Sequence, residues 1–262
     1  MSPAASVLGL GVVGPFGTGA EALLMALKNG PPAPVAASHP DGFETLSLTA
    51  PLELLNSRFD RNAIRRLDRY SRLALLGASL AFEDAGLAPG GAGMALVIAS
   101  GQGSANSSYA FVESMIEGRD ALNSPSHFSN SVHNAAAAAV SSVFGLTGPC
   151  LTVSLGRDSL ATGLSAAINY LERGYAELVL FGAVDEYAPP YARGSDEALG
   201  PMVHGEGAVF FILSSKIAGK PVISLEDTLK TCGAGAERFA GHLPGGPFFG
   251  LALAALNSRT IK

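Results

Sequence analysis

Phe144-Gly-Leu-Thr-Gly-Pro149-Cys-Leu-Thr-Val-Ser154-Leu-Gly-Arg157-Asp-Ser-Leu160 is the stretch that decides the layering of this chain. Its apolar run Leu151–Leu155 has the length of a strand, and the Gly-Pro pair ahead of it punctuates the backbone. Helical spacing precedes it over Ala135–Val143 and follows it over Asp158–Glu172. Outward from this unit, strand-length runs recur at Ala5–Val13, Met94–Ala99, Glu177–Phe181 and Ala208–Leu213, and helical spacing at Glu21–Lys28 and Arg65–Ala85. Such alternation predicts an α/β fold in which a sheet is layered between helices. The Pro/Ala stretch Pro31–Ser38 reads as a surface loop. With no linker in view, residues 1–262 are expected to form a single domain.

Composition narrows the function classes. The chain is 48% hydrophobic and 15% charged, enough apolar content for a substantial core and unlike a disordered segment. A net charge of -5 with no accompanying basic run argues against nucleic acid or an anionic membrane as the main partner. Two cysteines give no disulfide framework, and neither a secretory leader nor a bilayer-length apolar run is present, so a cytoplasmic location is expected. His39, His127 and His204 lack ligand spacing, and no metal is expected. Gly9, Gly11 and Gly14 follow a strand, but the acidic ribose ligand of a dinucleotide site is missing and Pro15 interrupts the turn. No cofactor is expected.

Five further segments fall in a telling order. They are Val7-Leu-Gly-Leu-Gly-Val-Val-Gly-Pro-Phe-Gly17, Leu67-Asp-Arg-Tyr-Ser-Arg-Leu-Ala74 with Phe82-Glu-Asp-Ala-Gly-Leu87, Val97-Ile-Ala-Ser-Gly-Gln-Gly103, Ser124-Pro-Ser-His-Phe128 and His204-Gly-Glu-Gly-Ala208. Together with the opening stretch they resemble, over roughly residues 5 to 215, the β-ketoacyl synthase family. That resemblance implies a thiolase-like layered α-β-α-β-α fold, here abbreviated in its C-terminal half.

Active relatives carry a cysteine at the tight turn between that central strand and the following helix, where the helix N-terminus favours the thiolate. Counting from Gly148-Pro149 without a gap puts Arg157 there. A guanidinium offers no nucleophile and stays protonated, so acyl transfer through this residue is excluded. Ser159 is close by, but its family counterpart is an ordinary Ser or Thr and no base is evident, which points to helix capping. Cys150 comes several residues early and reads as a small buried hydrophobe. Ala240-Gly-His242-Leu, with Gly245-Gly246 behind it, is similar to the family's second catalytic histidine motif, although Glu237 stands where its lysine belongs. The loop of the first histidine and the glycine-rich C-terminal gate are missing. Arg157, Ser159 and His242 together read as a vestigial site.

Within the family, cysteine-free chain-length factors pair with an active ketosynthase and shape the tunnel of the growing acyl or polyene chain. The abbreviated form here is most similar to the short ketosynthase-like proteins of aryl-polyene and type II polyketide pathways. By resemblance, Leu151, Thr152, Val153 and Ser154 form the strand that crosses the dimer axis, and Ser107–Ile116 reaches the partner's acyl pocket. Tyr109, Phe111, Met115 and Phe128 become candidate tunnel residues, joined by His133 and Asn134. His133 has the chemistry to polarise a carbonyl, while Ser131 or Asn134 is in place to cap the Ala-rich run Ala135–Ala139. Arg157 is expected at the head of a buried or interfacial helix near Asp158, Asp185 or Glu186. The expected partners are an active β-ketoacyl synthase subunit, in a heterodimer, and an acyl carrier protein. Malonyl-thioester decarboxylation, an altered acyltransferase or a carrier-protein-binding scaffold are the alternatives.

Overall fold

The computed structural model describes residues 4–30, 32–38, 42–90, 93–118, 125–215, 217, 220–224, 226, 243 and 248–260. In chain order these give β1 (Ala4–Gly14), β2 (Gly17–Thr18), α1 (Gly19–Asn29), β3 (Val35–Ser38), β4 (Glu44–Leu48), α2 (Leu55–Arg58), α3 (Arg61–Ile64) and α4 (Arg69–Ala85). There follow β5 (Ala95–Ser100), α5 (Ala105–Gly118), α6 (Pro125–Ser131), α7 (Ala135–Phe144), β6 (Cys150–Ser154) and α8 (Ser159–Glu172). The chain then runs through β7 (Leu178–Asp185), α9 (Pro189–Leu199), β8 (Val203–Gly205), β9 (Gly207–Ser214), β10 (Val222–Ser224) and α10 (Phe248–Thr260).

One large sheet has the order β10-β1-β9-β7-β5-β6, with β2 added to β1; β3-β4-β8 form a small second sheet. β5 runs parallel to both β6 and β7, whereas β9 is antiparallel to β1 and β7. Successive side chains of a strand face opposite sides, and β5 divides its residues accordingly. Val97 and Ala99 join Leu160, Leu164 and Ile168 of α8 and Phe248 and Leu251 of α10 in one core. Leu96 and Ile98 join Leu73 and Leu76 of α4 and Val140 of α7 in the other. Helix, sheet and helix layers follow from that division. The thiolase-like α/β layering is present: among the described residues helices cover both faces of the large sheet.

The Gly-Leu-Gly run of β1 serves the approach of α4. A Cβ on Gly9 would sit 2.2 Å from the Ala81 carbonyl oxygen, and one on Gly11 would sit 2.0 Å from that of Gly77. The register of β1 against β9 slips between Val7 and Gly9. Close by, the Leu10 N–H donates instead to Asp84 of α4 at 2.8 Å. Asp84 of the Glu-Asp-Ala-Gly-Leu motif thereby ties the end of α4 to β1, and Gly86, with φ 65°, closes the helix in the left-handed region.

Two expectations change. α4 starts at Arg69 rather than Arg65 because the Asp68 carboxylate accepts the Ser71 N–H at 2.9 Å and caps the helix there. Pro31–Ser38 is not all loop: Val35–Ser38 pairs with β4 as the edge strand of the small sheet, its residues mostly exposed.

Candidate functional site

The carboxyl ends of β5, β6 and β7 converge on one side of the sheet, where open α/β folds place their sites. Three turns meet there and are stitched together. Ser100 donates its hydroxyl to Asp185 (3.2 Å) and accepts from the Gly103 N–H (2.8 Å). Asp185 also accepts from the Gly101 N–H at 2.8 Å, and the Gly156 N–H reaches the Gly101 carbonyl at 3.3 Å. Gly103, at φ 63°, lies so close to His133 that a Cβ would come within 2.8 Å of its Nδ1.

Arg157 occupies the short 3-10 turn Gly156–Asp158 that leads into α8, and its side chain is exposed in the isolated chain. It is not buried, contrary to one of the two placements expected for it. Asp158 is exposed beside it, while Asp185 and Glu186 are buried and bind the turns named here. Ser159 is fully buried. Its hydroxyl accepts from the Leu155 N–H at 2.8 Å and faces the carbonyls of Ser100 (2.8 Å) and Gly156 (2.7 Å). A hydroxyl whose proton and lone pairs are spent on the backbone holds the turn and is not poised to attack a thioester. Cys150 is a correction: its free thiol is exposed at the start of the edge strand. Desolvation by the surrounding chain pushes its pKa up, which disfavours the thiolate. His242, Glu237, Gly245 and Gly246 lie outside the described residues, as does His39.

Beside this head region a cleft of about 430 Å³ is lined by Gly101, Gln102, Ala105, Ser108, Tyr109, Val112, His133 and Ser154. It unites Tyr109, His133 and Ser154 of the residues expected from sequence. Phe111 packs instead on Phe128, ring centroids 5.3 Å apart, clamping α5 to α6. Tyr109, Val112, Met115, Ile116, Phe128, Val132 and Leu155 are all exposed large side chains. Within the chain they are not core; they face outward. Asn134 occupies the N-cap position of α7 without a side-chain cap, and Ser131 donates to the Phe128 carbonyl, so neither caps the Ala-rich helix.

Beneath the cleft lies a buried acidic network. Arg69 chelates Glu206 through its Nε (2.8 and 3.0 Å) and its terminal nitrogen. Glu206 also accepts from the Ala50 (2.6 Å) and Tyr187 (3.2 Å) N–H groups. The hydrogen bond to Glu206 pushes the Arg69 pKa up. Burial, helped by Asp68 and Glu206, raises Glu186 to about 7. One oxygen of Glu186 accepts the Asn106 N–H at the start of α5 (2.8 Å), and the other has no partner. His204 pairs with Asp196 at 2.9 Å, both buried.

Leu67-Asp-Arg69 and Gly205-Glu-Gly-Ala208, separate motifs along the sequence, are joined by the Arg69–Glu206 ion pair. Six arginines, at positions 58, 61, 65, 66, 69 and 72, are a local basic cluster in an acidic chain that the family motifs do not single out. Among the described residues no three His, Cys, Asp or Glu side chains are placed to hold a metal, and no helix is long and apolar enough to cross a membrane.

Residues 60–233 match the family described as beta-ketoacyl synthase, N-terminal domain, and the chain belongs to that family. No curated protein matches it in sequence. Among solved structures it is similar to the ishigamide ketosynthase/chain length factor, with TM-score 0.69 and 22% identity, covering 83% of this chain and 64% of that one. It is also similar to AntDE:AntF, a type II PKS acyl-carrier protein in complex with its ketosynthase bound to the hexaketide, with TM-score 0.63, 21% identity and coverage of 82% and 59%. A third match is the ketosynthase ApeO in complex with its chain length factor ApeC from Xenorhabdus doucetiae, with TM-score 0.61, 21% identity and coverage of 83% and 81%. The chain thus spans about six-tenths of the first two and is comparable in length to the matched chain of the third.

Proposed function

We propose that this chain is a non-catalytic, chain-length-factor-like subunit that pairs with a cysteine-bearing β-ketoacyl synthase and closes the far end of its acyl tunnel. The observation that carries the reading is that, among the described residues, β6 pairs on one side only and lies beside the exposed apolar side chains of α5 and α6. An open edge and an exposed apolar patch are the features that natural chains cover with a partner. Arg157 at the nucleophile position and the backbone-bound Ser159 support the non-catalytic part. The solved ketosynthase and chain-length-factor complexes, and the one with a carrier protein, support the choice of partners. An aryl-polyene or polyketide setting is the context in which such pairs work.

Co-expression with a cysteine-bearing β-ketoacyl synthase, followed by size exclusion and product analysis, tests the reading. A stable 1:1 complex is expected, with Phe111→Ala or Met115→Ala lengthening the products while the partner's acylation rate holds. Intact-protein mass spectrometry of the lone chain with acyl and malonyl carrier-protein thioesters should give no adduct. A stoichiometric acyl mass on Ser159 or Cys150, or a lone monomer that ignores the ketosynthase, would remove the proposal.

A further inference from the structure

α5 is seated by its first turn. Of its described side chains only Ala105 is buried; the others are half-buried or exposed. Polar bonds tie the turn down. Glu186 accepts the Asn106 N–H at 2.8 Å, and the Asn106 amide donates to the Tyr187 carbonyl at 2.8 Å. Ser107 donates to Asp68 at 2.9 Å, and the other oxygen of Asp68 caps α4. Ser108 reaches the Ser131 carbonyl of α6 at 3.0 Å. An element with little buried apolar surface opens locally at low cost, so these bonds decide whether α5 stays in place.

Glu186 is the vulnerable member of the set. It is buried, and its second oxygen has no partner among the described residues. Around it stand Asp68, Arg69 and Tyr70 at the start of α4, Asp185 and Tyr187 on either side in the chain, Tyr191 of α9, and His204 and Glu206 around β8. Arg69, the fixed cation of this group, is bound to Glu206, and His204 is paired with Asp196. A protonated Glu186 suits these surroundings as a neutral acceptor. Ionised, it strengthens the one bond to Asn106 but leaves a bare oxygen among carboxylates, away from water.

We propose that the first turn of α5 is a proton-operated latch, closed while Glu186 is protonated and released when Glu186 ionises. Burial, with Asp68 and Glu206, raises this carboxyl from 4.5 to about 7. The closed state therefore keeps its full advantage below 4.5 and loses it as pH climbs through about 7. α5 is the element that yields, because α4, β7 and β9 are packed into the two cores and it is not. Release hydrates the carboxylate and shifts Tyr109, Val112 and Ile116, which ride on the helix. The latch belongs to the lone chain and does not depend on the pairing proposed for that face.

Hydrogen–deuterium exchange of the full chain at pH 6 and pH 8.5, with exchange times scaled to the intrinsic amide rate, tests it. Protection over residues 106–112 should fall at least tenfold at the higher pH while that of α8 holds. Glu186→Gln keeps an acceptor for Asn106 without the titration and should remove the pH step. Asp68→Asn, still able to cap α4, should move the step to lower pH. Equal scaled protection at both pH values in the wild type overturns the proposal, and so does a loss shared equally by α8, which is global unfolding. It also falls if the step survives in Glu186→Gln or, should that variant not fold, stays in place in Asp68→Asn.

Discussion

Glu186 carries the clearest pH signature in the molecule. It is 6% exposed at the end of β7, held by the Asn106 N–H of α5 and faced by Asp68 and Arg69 from α4, His204 from β8, Tyr191 from α9 and Glu206. A carboxyl whose pKa rises on folding, here from 4.5 to about 7, stabilises the fold below its unfolded value and loses that contribution as pH climbs through about 7. The wild-type melting temperature should therefore fall between pH 5 and 8.5 more steeply than that of Glu186→Gln, by a few kcal/mol at most in stability. Parallel melting curves for the two proteins would place the charge elsewhere. Glu206 is fully buried and ion-paired with Arg69. Removing one partner of such a pair leaves an uncompensated charge, so Arg69→Ala should cost about 3–5 kcal/mol in denaturant titration. A loss under 1 kcal/mol would show that water reaches Glu206.

At the scale of elements, the contact between β1 and α4 is specified by glycine. Gly9→Ala and Gly11→Ala would each push a methyl into helix backbone that has no rotamer to yield, and each should cost about 3 kcal/mol or slightly more by chemical denaturation. Asp84→Ala would leave the Leu10 N–H without its acceptor, an expected loss of about 1–3 kcal/mol. Stability unchanged in Gly11→Ala would mean that α4 can slide. The long apolar strands and the helices α4, α7 and α8 were legible in the sequence because burial on one or both faces writes a period into the residues. α9, β8 and β3 were not: they are short, polar or exposed, and their pairing is set by distant chain, as with β8 against β4. The site was half legible. Arg157 stands out by register alone, while the outward turn of Tyr109, Met115 and Phe128 depends on how α5 and α6 pack, which spacing along the chain does not encode. Cys150 misleads for a similar reason, since an edge strand and an inner strand have the same apolar composition.

For the whole molecule the decisive asymmetry is the sheet edge. Among the described residues β10 ends one side of the large sheet and β6 the other; along β6 only Val153 is buried as a residue, and the buried Thr152 hydroxyl has no hydrogen-bond partner among them. Val112, Ile116 and Phe128 extend that edge into an exposed apolar surface. A partner that supplies a strand and an apolar face would satisfy both, and loss of the face should abolish association without touching the fold. The double variant Val112→Asp, Ile116→Asp introduces two charges at positions 46% and 77% exposed. Surface substitutions of this kind shift stability by about 0.5 kcal/mol or less, so the lone chain should melt as the wild type does. Two carboxylates forced into an interface core are a severe desolvation cost, and the ketosynthase should elute alone from size exclusion. If the complex survives both charges, the α5 face looks into solvent in the assembly and the contact must run through β6 or another surface.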